Sequence, residues 1–383
     1  MKMPDMPDFL SVFQNLGNKP AEGNKRPAAG KNLEIHVVMM GGRRCGKTSV
    51  LAAMEDCLQR TIYKYTNITC YSDDDMTLQT LREKKSEMDA YFIDRRGRSF
   101  HPDSTPTSEV AQYSFCIGLR SPKRTKDSGH INLIFHDYPG EWLLNRRDDL
   151  KEIVEKSRII IIAVDTPYMM EEKGRYNRHR NNCDEISNAL IQTGFANGEP
   201  GMILFVPIKC EKYRNPTGRN SKKMLQVCNA IKSAYAPLLD YLTKSSECFA
   251  AITPVFTLGD AVFSDFERDE NGDIIEDKEK IPRQANYIFT DNAGDAPNPQ
   301  FCEQPLFYIL AYTLAMAKRA KEKGGLFSGI QNAFQENILH WPSAEEYLGE
   351  YQVLCEKISE TLHSDNGYEI VSSCNWIDLN QKP

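Results

Sequence analysis

The chain has 383 residues, of which 40% are apolar and 26% are charged, and its net charge is −6. This composition is ordinary for a soluble protein with a packed core, and the negative charge argues against general nucleic-acid binding, which needs a basic face. No apolar run reaches the roughly 18 residues of a membrane-spanning helix. The eleven cysteines include no Cys-x-x-Cys pair, which favours free thiols in a reducing compartment over disulfides or zinc. We therefore expect a cytoplasmic protein.

Residues 1–31 are rich in Pro, Gly, Asn and Lys, and we expect a flexible N-terminal arm. Apolar residues between positions 9 and 16 are compatible with a short amphipathic helix that docks on a partner or on the protein itself. A frayed terminus is the alternative. Proline and aspartate near the start interrupt any apolar core, so no signal peptide is expected.

The segment from Leu33 to Leu58 carries the clearest chemical signal. A predicted buried strand runs into Gly-Gly-Arg-Arg-Cys-Gly-Lys-Thr at positions 41–48, and a helical pattern follows. In this G-x-x-x-x-G-K-[ST] spacing, backbone N–H groups surround phosphate oxygens at a helix N-terminus, the lysine reaches the β- and γ-phosphates, and the threonine hydroxyl ligates Mg²⁺. A chance glycine-rich turn is the alternative. The predicted nucleotide-binding residues are Gly41, Arg44, Cys45, Gly46, Lys47, Thr48 and Ser49.

A polar region and two predicted strands come next. Residues 65–108 are weakly periodic, with a charged helical stretch near 74–90, and we expect an insertion rather than a core element. Residues 109–119 alternate as a strand does, and a turn leads to a buried strand over 131–136 that ends in Asp137.

Further buried runs lie at 158–164, 202–208 and 249–257, and helical patterns separate them, the longest at 220–243. Strands that alternate with helices predict an α/β fold with three layers and a mainly parallel central sheet. In such a sheet, loops at the carboxyl ends of the strands hold the ligand.

The last third of the chain combines an acidic stretch with two helices. Residues 264–283 predict an exposed hairpin at an Asn-Gly turn, because a lysine stands where a calcium loop needs its last glutamate. A core helix is predicted over 306–321. A later helix begins with a Ser-x-x-Glu capping box, and its apolar stripe is expected to pack on its own domain, with a partner as the alternative.

In their order along the chain, the phosphate loop, Asp137-x-x-Gly140, Lys209-x-Glu211 and the loop around Leu258 resemble the motifs of the translation-factor and Ras-like class of P-loop GTPases. Asp-Tyr-Pro-Gly-Glu at 137–141, the Lys-Cys-Glu box and Cys-Glu-Gln-Pro-Leu at 302–306 are similar to the bacterial double-GTPase families linked to conflict systems. That narrower resemblance implies a place in a bacterial multi-protein system, for example in antiviral defence.

The resemblance covers about residues 32–323 only, and composition and helical pattern predict the segments on either side. A GTPase-like domain would cover residues 32–323, with insertions near 65–108 and 264–283. The flexible arm over 1–31 would precede it, and a helical C-terminal extension over 324–383 would follow it.

Carried over by position, the resemblance implies that Asp137 holds Mg²⁺ with Thr48. The Gly140 N–H would sense the γ-phosphate, so that 141–150 would form the second switch. Glu141 falls where many members carry the glutamine that orients the attacking water. A carboxylate so close to phosphate charge implies hydrolysis that is slow or depends on a partner. In this class the first switch segment supplies a threonine that binds Mg²⁺. The candidates here are Thr105 and Thr107, of which Thr107 is preferred.

Guanine specificity in this class comes from an [NT]-K-x-D box, whose acid binds the base and whose lysine packs over it. Here Lys209 is kept, Ile208 replaces the first polar residue, and Glu211 is one methylene longer than aspartate. The resemblance therefore favours guanine over adenine. Leu258 falls in the loop whose backbone closes over the base.

Two phosphate-loop residues depart from the pattern. Arg43 stands where members of this class carry a small residue beside the γ-phosphate. It could act as an arginine finger in cis, or it could block an arginine finger supplied in trans. A solvent-facing arginine without a catalytic role is the alternative. Cys45 lies at a helix N-terminus, which is expected to lower its pKa and to let oxidation switch binding off. The predicted catalytic residues are Glu141, Lys47 and Arg43.

These motifs favour a guanine-nucleotide switch that uses GTP or GDP with Mg²⁺ and hydrolyses GTP slowly. A protein partner would read the segments near 100–110 and 137–150, and a homodimer or a heterodimer with a related GTPase is compatible with the motifs. An ATPase or nucleotide kinase is the second hypothesis. The third is a nucleotide-bound scaffold without turnover, for which Glu141 and Arg43 would be signs of lost catalysis.

Overall fold

The structure, a computed structural model, describes residues 33–72, 74–93, 110–119, 131–196, 199–214, 222–291, 293–323, 344–362 and 367–374. The predicted N-terminal arm and the candidate first-switch residues Thr105 and Thr107 lie outside the described residues.

An eight-stranded sheet occupies the centre of the described chain, in the order β10-β7-β6-β5-β1-β4-β3-β2. The five strands from β7 to β4 are parallel, whereas β10, β3 and β2 run antiparallel to their neighbours. The predicted α/β class with a mainly parallel sheet is thus confirmed. The strands are β1 Leu33–Met40, β2 Ile68–Tyr71, β3 Ala111–Leu119, β4 Ile131–Asp137, β5 Ile159–Asp165, β6 Gly201–Ile208, β7 Cys248–Ile252 and β10 Glu369–Ser372.

Helices cover both faces of this sheet. On one face α1, α2, α10 and α11 contribute to a single apolar core, and on the other α3, α4, α5, α7, α8 and α9 contribute to a second. The helices are α1 Lys47–Tyr65, α2 Asp75–Ile93, α3 Trp142–Asn145, α4 Arg147–Lys156, α5 Thr166–Met170, α6 Asn177–Asn181, α7 Cys183–Gln192, α8 Lys222–Ala234, α9 Ala236–Leu242, α10 Gln304–Lys323 and α11 Ala344–Leu362.

The central strands β5 and β6 are apolar up to Asp165 at the end of β5, because both of their faces are covered. Every residue of β5 is buried, and so is every residue of β6. The stripe on α11 also packs inward as predicted, since Leu354 and Ile358 are fully buried in the core that α10 shares.

Three features depart from the sequence-based expectations. Residues 68–71, within the polar region, form the edge strand β2, which pairs with β3. The strand β10 pairs with β7 at the opposite edge, and no strand was expected so late in the chain. The helical pattern over 220–243 is divided into α8 and α9 at Tyr235, because Pro237 has no N–H to donate to a continuous helix.

A small second sheet lies beyond the loop that follows β7. It consists of β8 Ala261–Phe266 and β9 Ala285–Phe289, which are antiparallel. Between them, Arg268 bridges to Ile274 across the predicted Asn-Gly turn, which confirms the hairpin. The two strands share an apolar cluster with Phe92 of α2 and Tyr168 of α5.

Among the helices in the described ranges, none combines the length and the apolar character that crossing a membrane requires.

Candidate functional site

The candidate site lies at the carboxyl ends of the parallel strands, where the loops after β1, β4, β5 and β6 meet. The loop between β1 and α1 enters the helix through Arg44 and Gly46, whose φ angles are +58° and +109°. A Cβ on Gly46 would come within 3.2 Å of Ile208 Cδ1, so the loop packs closely on the end of β6. The first N–H groups of α1 have no partner within the helix and are suited to bind an anion.

Asp137, at the end of β4, joins the phosphate loop to the sheet. Its carboxylate is fully buried. Its Oδ2 accepts a hydrogen bond from Thr48 Oγ1 at 2.8 Å, and its Oδ1 lies 3.5 Å from Lys47 Nζ. Burial of Lys47 is the largest single effect and opposes its charge, but Asp137, Cys45 and Glu141 together outweigh it, and the pKa of the ammonium is raised. Three predicted site residues therefore meet at one point.

The oxygens at this point suit a magnesium ion. Mg²⁺ takes oxygen ligands, keeps several waters and is often held by one or two protein groups together with substrate phosphates. Thr48 and Asp137 supply such a pair, a hydroxyl and a carboxylate in mutual contact. Among the described residues, no three His, Cys, Asp or Glu side chains lie close enough together to hold a metal ion by themselves.

Gly140 lies directly against the phosphate loop. A Cβ here would come within 2.4 Å of the Arg43 backbone nitrogen and 2.7 Å of the Gly42 carbonyl carbon, so a larger residue would displace the loop. Glu141 follows, and its Oε1 lies 2.9 Å from Arg43 Nε. Gly140, Glu141 and Arg43 all border one cavity of about 310 Å³. The two unusual residues of the sequence motifs thus form an ion pair where the γ-phosphate is expected.

A buried cluster that the sequence did not reveal supports the loop from below. Arg180 Nη2 donates a hydrogen bond to the Arg44 carbonyl oxygen at 2.9 Å and another to Asp165 Oδ2 at 3.1 Å. Lys209 Nζ donates to the same Asp165 oxygen at 3.1 Å. Because Asp165 ends β5 and Lys209 follows β6, adjacent strand ends share one carboxylate. Arg180 comes from the short helix α6 in a polar stretch, and no pattern in the sequence points to it.

Cys45 is fully buried beneath the loop. Its pKa is raised because burial disfavours the thiolate more than Lys47 and Arg180 favour it. The expectation of a lowered pKa was wrong, since desolvation outweighs the helix N-terminus. A buried thiol with a raised pKa is not poised for oxidation. Cys45 therefore contributes to the site through its backbone in the phosphate loop, and its thiol is not a redox switch.

Glu211 lies behind the loop that was expected to close over the base. Its Oε1 accepts a hydrogen bond from the Leu258 backbone N–H at 2.7 Å, while its buried Oε2 accepts none from the described residues. Burial of the carboxylate raises the pKa of Glu211 to about 7. The side chain thereby anchors the Leu258 loop to the end of β6.

A cavity of about 420 Å³ opens in front of these residues. It runs from Gly46 and Ser49 at the phosphate loop to Lys209 and Leu258 at the strand ends, and α1, α2 and residues 295–299 complete its walls. Glu211 is not among the residues that border it, so in this conformation it acts on the cavity through Leu258. The volume is that of an ordinary small-molecule site.

The strand–loop–helix unit, the Lys47–Asp137–Thr48 contact and the glycine pressed against the loop define a P-loop nucleotide-binding protein of the GTPase class. Comparison with known families narrows this class, because residues 35–235 match the family model of Double-GTPase 2. The chain belongs to the Double-GTPase 2 family.

Other comparisons find only distant similarity. No curated protein matches the chain. Among solved structures, the Ski7 GTPase-like domain of S. cerevisiae, bound to GDP and inorganic phosphate, is similar with a TM-score of 0.33 and 14% identity. The similarity covers 72% of this chain and 50% of that one, so the chain spans about half of the Ski7 structure.

Proposed function

We propose that the protein is a guanine-nucleotide switch, which binds GTP with Mg²⁺, hydrolyses it slowly and presents the GTP-bound state to a partner protein. The observation that carries the proposal is the buried Asp137 carboxylate in contact with both Lys47 and Thr48. One carboxylate thus positions both the lysine that would bind the phosphates and the hydroxyl that would ligate Mg²⁺. Family membership supports the same reaction class.

Each residue of the site has a separate task in this proposal. Backbone N–H groups of residues 44–49 bind the phosphates, and Lys47 places its charge against them. Thr48 and Asp137 would hold Mg²⁺, which would neutralise charge on the phosphate oxygens. Gly140 packs so closely on the loop that a Cβ would clash with its backbone, and we expect a shift of the loop to displace the segment after β4. That segment, 141–150, is therefore the surface that a partner would read.

Glu141 is the group best placed to orient the attacking water, and Arg43 holds it. The ion pair between them restricts the Glu141 carboxylate to the phosphate-loop side of the cavity. Both side chains are partly exposed, so their pairing contributes little to folding stability. A carboxylate near phosphate charge orients water poorly, and the solvent-exposed Arg43 offsets only part of the repulsion. The proposal therefore expects slow hydrolysis that a partner can increase.

Replacing Glu141 with alanine is expected to lower single-turnover GTP hydrolysis by about 10²-fold, the usual contribution of a positioned general base. Arg43→Ala is expected to lower it by about tenfold, while the GTP dissociation constant of either variant changes by less than about threefold. Phosphate release after mixing with Mg²⁺ and GTP measures both effects. Unchanged hydrolysis in both variants would mean that neither side chain contributes to the reaction, whereas no hydrolysis by the wild type would favour the scaffold without turnover.

Guanine recognition depends in this proposal on the Leu258 loop, which Glu211 fixes in place. Glu211→Ala removes the acceptor of a buried N–H and is expected to weaken GDP binding by about 10- to 100-fold, as losing such a partner costs about 1–3 kcal/mol. Glu211→Gln keeps an acceptor oxygen and is expected to restore most of the affinity. Titration calorimetry of GDP against the two variants measures the difference. Equal loss in both would mean that the carboxylate itself contacts the base.

A further inference from the structure

Helix α2 forms a wall of the nucleotide cavity that the sequence motifs do not account for. Lys84, Lys85, Met88, Asp89 and Ile93 all border the cavity. Their spacing places them on one stripe of the helix. The wall that faces this stripe is largely apolar and includes Ala52, Ala53, Ile208, Leu258, Pro297 and Pro299.

Contacts along its whole length hold α2 in place. In its first turn, Thr77 Oγ1 accepts a hydrogen bond from the Ser114 backbone N–H at 3.1 Å. In its middle, Lys85 forms an ion pair with Asp56 of α1. At its end, Phe92 is buried and packs edge-on against Phe289, with ring centroids 4.8 Å apart. The cavity wall formed by α2 is therefore fixed by tertiary contacts, as the strand ends on the other side of the cavity are.

Two apolar side chains on this stripe lack full cover in the ligand-free structure. Ile93 is 78% exposed, and Met88 is only partly buried. A purine ring is flat and apolar on both faces, and a methionine thioether packs favourably against aromatic rings. The cavity that these residues border is continuous with Gly46 and Ser49 of the phosphate loop. The occupant best matched to them is thus the base and ribose of a nucleotide whose phosphates lie in that loop.

We propose that α2 is a nucleotide-contacting element, in which Met88 and Ile93 pack against the purine and ribose of the bound nucleotide. The inference rests on the proposed nucleotide-binding function and deepens it. The nucleotide then lies in a slot between α2 and the Leu258 loop instead of on an open face. Its rate of dissociation depends on a helix that lies outside the recognised motif loops.

Dissociation of tritiated GDP, chased with excess unlabelled GDP in the presence of Mg²⁺, tests the proposal. Met88→Ala and Ile93→Ser are each expected to increase the dissociation rate by about tenfold, because each removes apolar contact area comparable to a buried side chain. Met76→Ala is the matched control, since Met76 is on the same helix, is 77% exposed and does not border the cavity. Its dissociation rate should equal that of the wild type.

Pyrophosphate binding, measured by calorimetry with Mg²⁺, separates this inference from the function on which it rests. Pyrophosphate engages only the phosphate loop, so both α2 variants should bind it as the wild type does. Wild-type GDP dissociation rates in both variants would overturn the role of α2, and so would equal weakening of GDP and pyrophosphate. A wild-type protein that binds neither compound would overturn the proposed function itself. Because Ile93 is exposed, its replacement leaves the core unchanged and the test remains valid if Met88→Ala is unstable.

Discussion

Replacing Lys47 with alanine is expected to weaken binding of both GTP and GDP by about a thousandfold, which corresponds to about 4 kcal/mol. The ammonium is buried and is held beside Asp137 at 3.5 Å. Its loss removes the cation that faces the phosphates, and it leaves the buried Asp137 carboxylate to repel them. Removing one partner of a buried ion pair costs about 3–5 kcal/mol, and here the bound anion increases that cost.

Calorimetry with Mg²⁺ and GDP measures this loss. Lys64→Ala, at the exposed end of the same helix, is the control and should bind as the wild type does. Circular dichroism should show that the Lys47 variant remains folded, so that lost binding is not lost structure. Affinity within about tenfold of the wild type would mean that the loop does not hold the phosphates.

Acidification is expected to destabilise the protein through two buried histidines. His36 on β1 and His136 on β4 are stacked, with Nδ1 and Nε2 2.9 Å apart. Burial lowers the pKa of His36 to about 4, and burial together with His36 lowers the pKa of His136 to about 3. Both are therefore neutral in the folded state at pH values where the unfolded chain, with histidine pKa values of about 6.5, binds protons.

The sign follows from proton uptake. Below about pH 6.5 the unfolded state binds more protons, so stability is complete above that pH and falls as the pH decreases toward the folded-state values. The two groups together are expected to reduce the free energy of unfolding by about 4 kcal/mol between pH 7.5 and 5. Protonating the two histidines in the folded state would bury two positive charges beside each other in the sheet, so the folded state takes up these protons only at lower pH.

Urea denaturation of the ligand-free protein at several pH values measures the effect. The double variant His36→Leu/His136→Leu should lose most of this dependence between pH 7.5 and 5, whereas His179→Leu, at an exposed histidine, should retain it. An equal acid loss in the wild type and the double variant would assign the effect to other groups.

The parts of the site that the sequence predicts are those whose chemistry is local. The phosphate loop is a continuous segment whose residue spacing itself creates the anion site, so Lys47 and Thr48 are evident without a structure. Asp137 is evident because a carboxylate directly follows a buried strand, and the ends of parallel strands share one edge of a sheet. The mainly parallel sheet follows for the same reason, from apolar runs separated by helical patterns.

The parts that the sequence does not reveal depend on contacts between distant segments. Arg180 reaches the phosphate loop from a polar helix that is separated from it by 136 positions. The Glu211 carboxylate accepts a hydrogen bond from the Leu258 N–H, 47 positions away, and no sequence motif indicates this contact. The raised pKa of Cys45 follows from desolvation under the loop. The edge strands β2 and β10 are four residues each, too short for a periodic signal.

Calorimetric titration of the wild-type protein with GTP, GDP and ATP, each with Mg²⁺, tests the central claim most directly. The guanine-nucleotide switch predicts that GTP and GDP bind at micromolar or lower concentrations and that ATP binds at least about 100-fold more weakly, a difference of about 3 kcal/mol at the base. ATP binding as tight as GTP binding would contradict guanine specificity and would leave a P-loop nucleotide-binding protein of another kind.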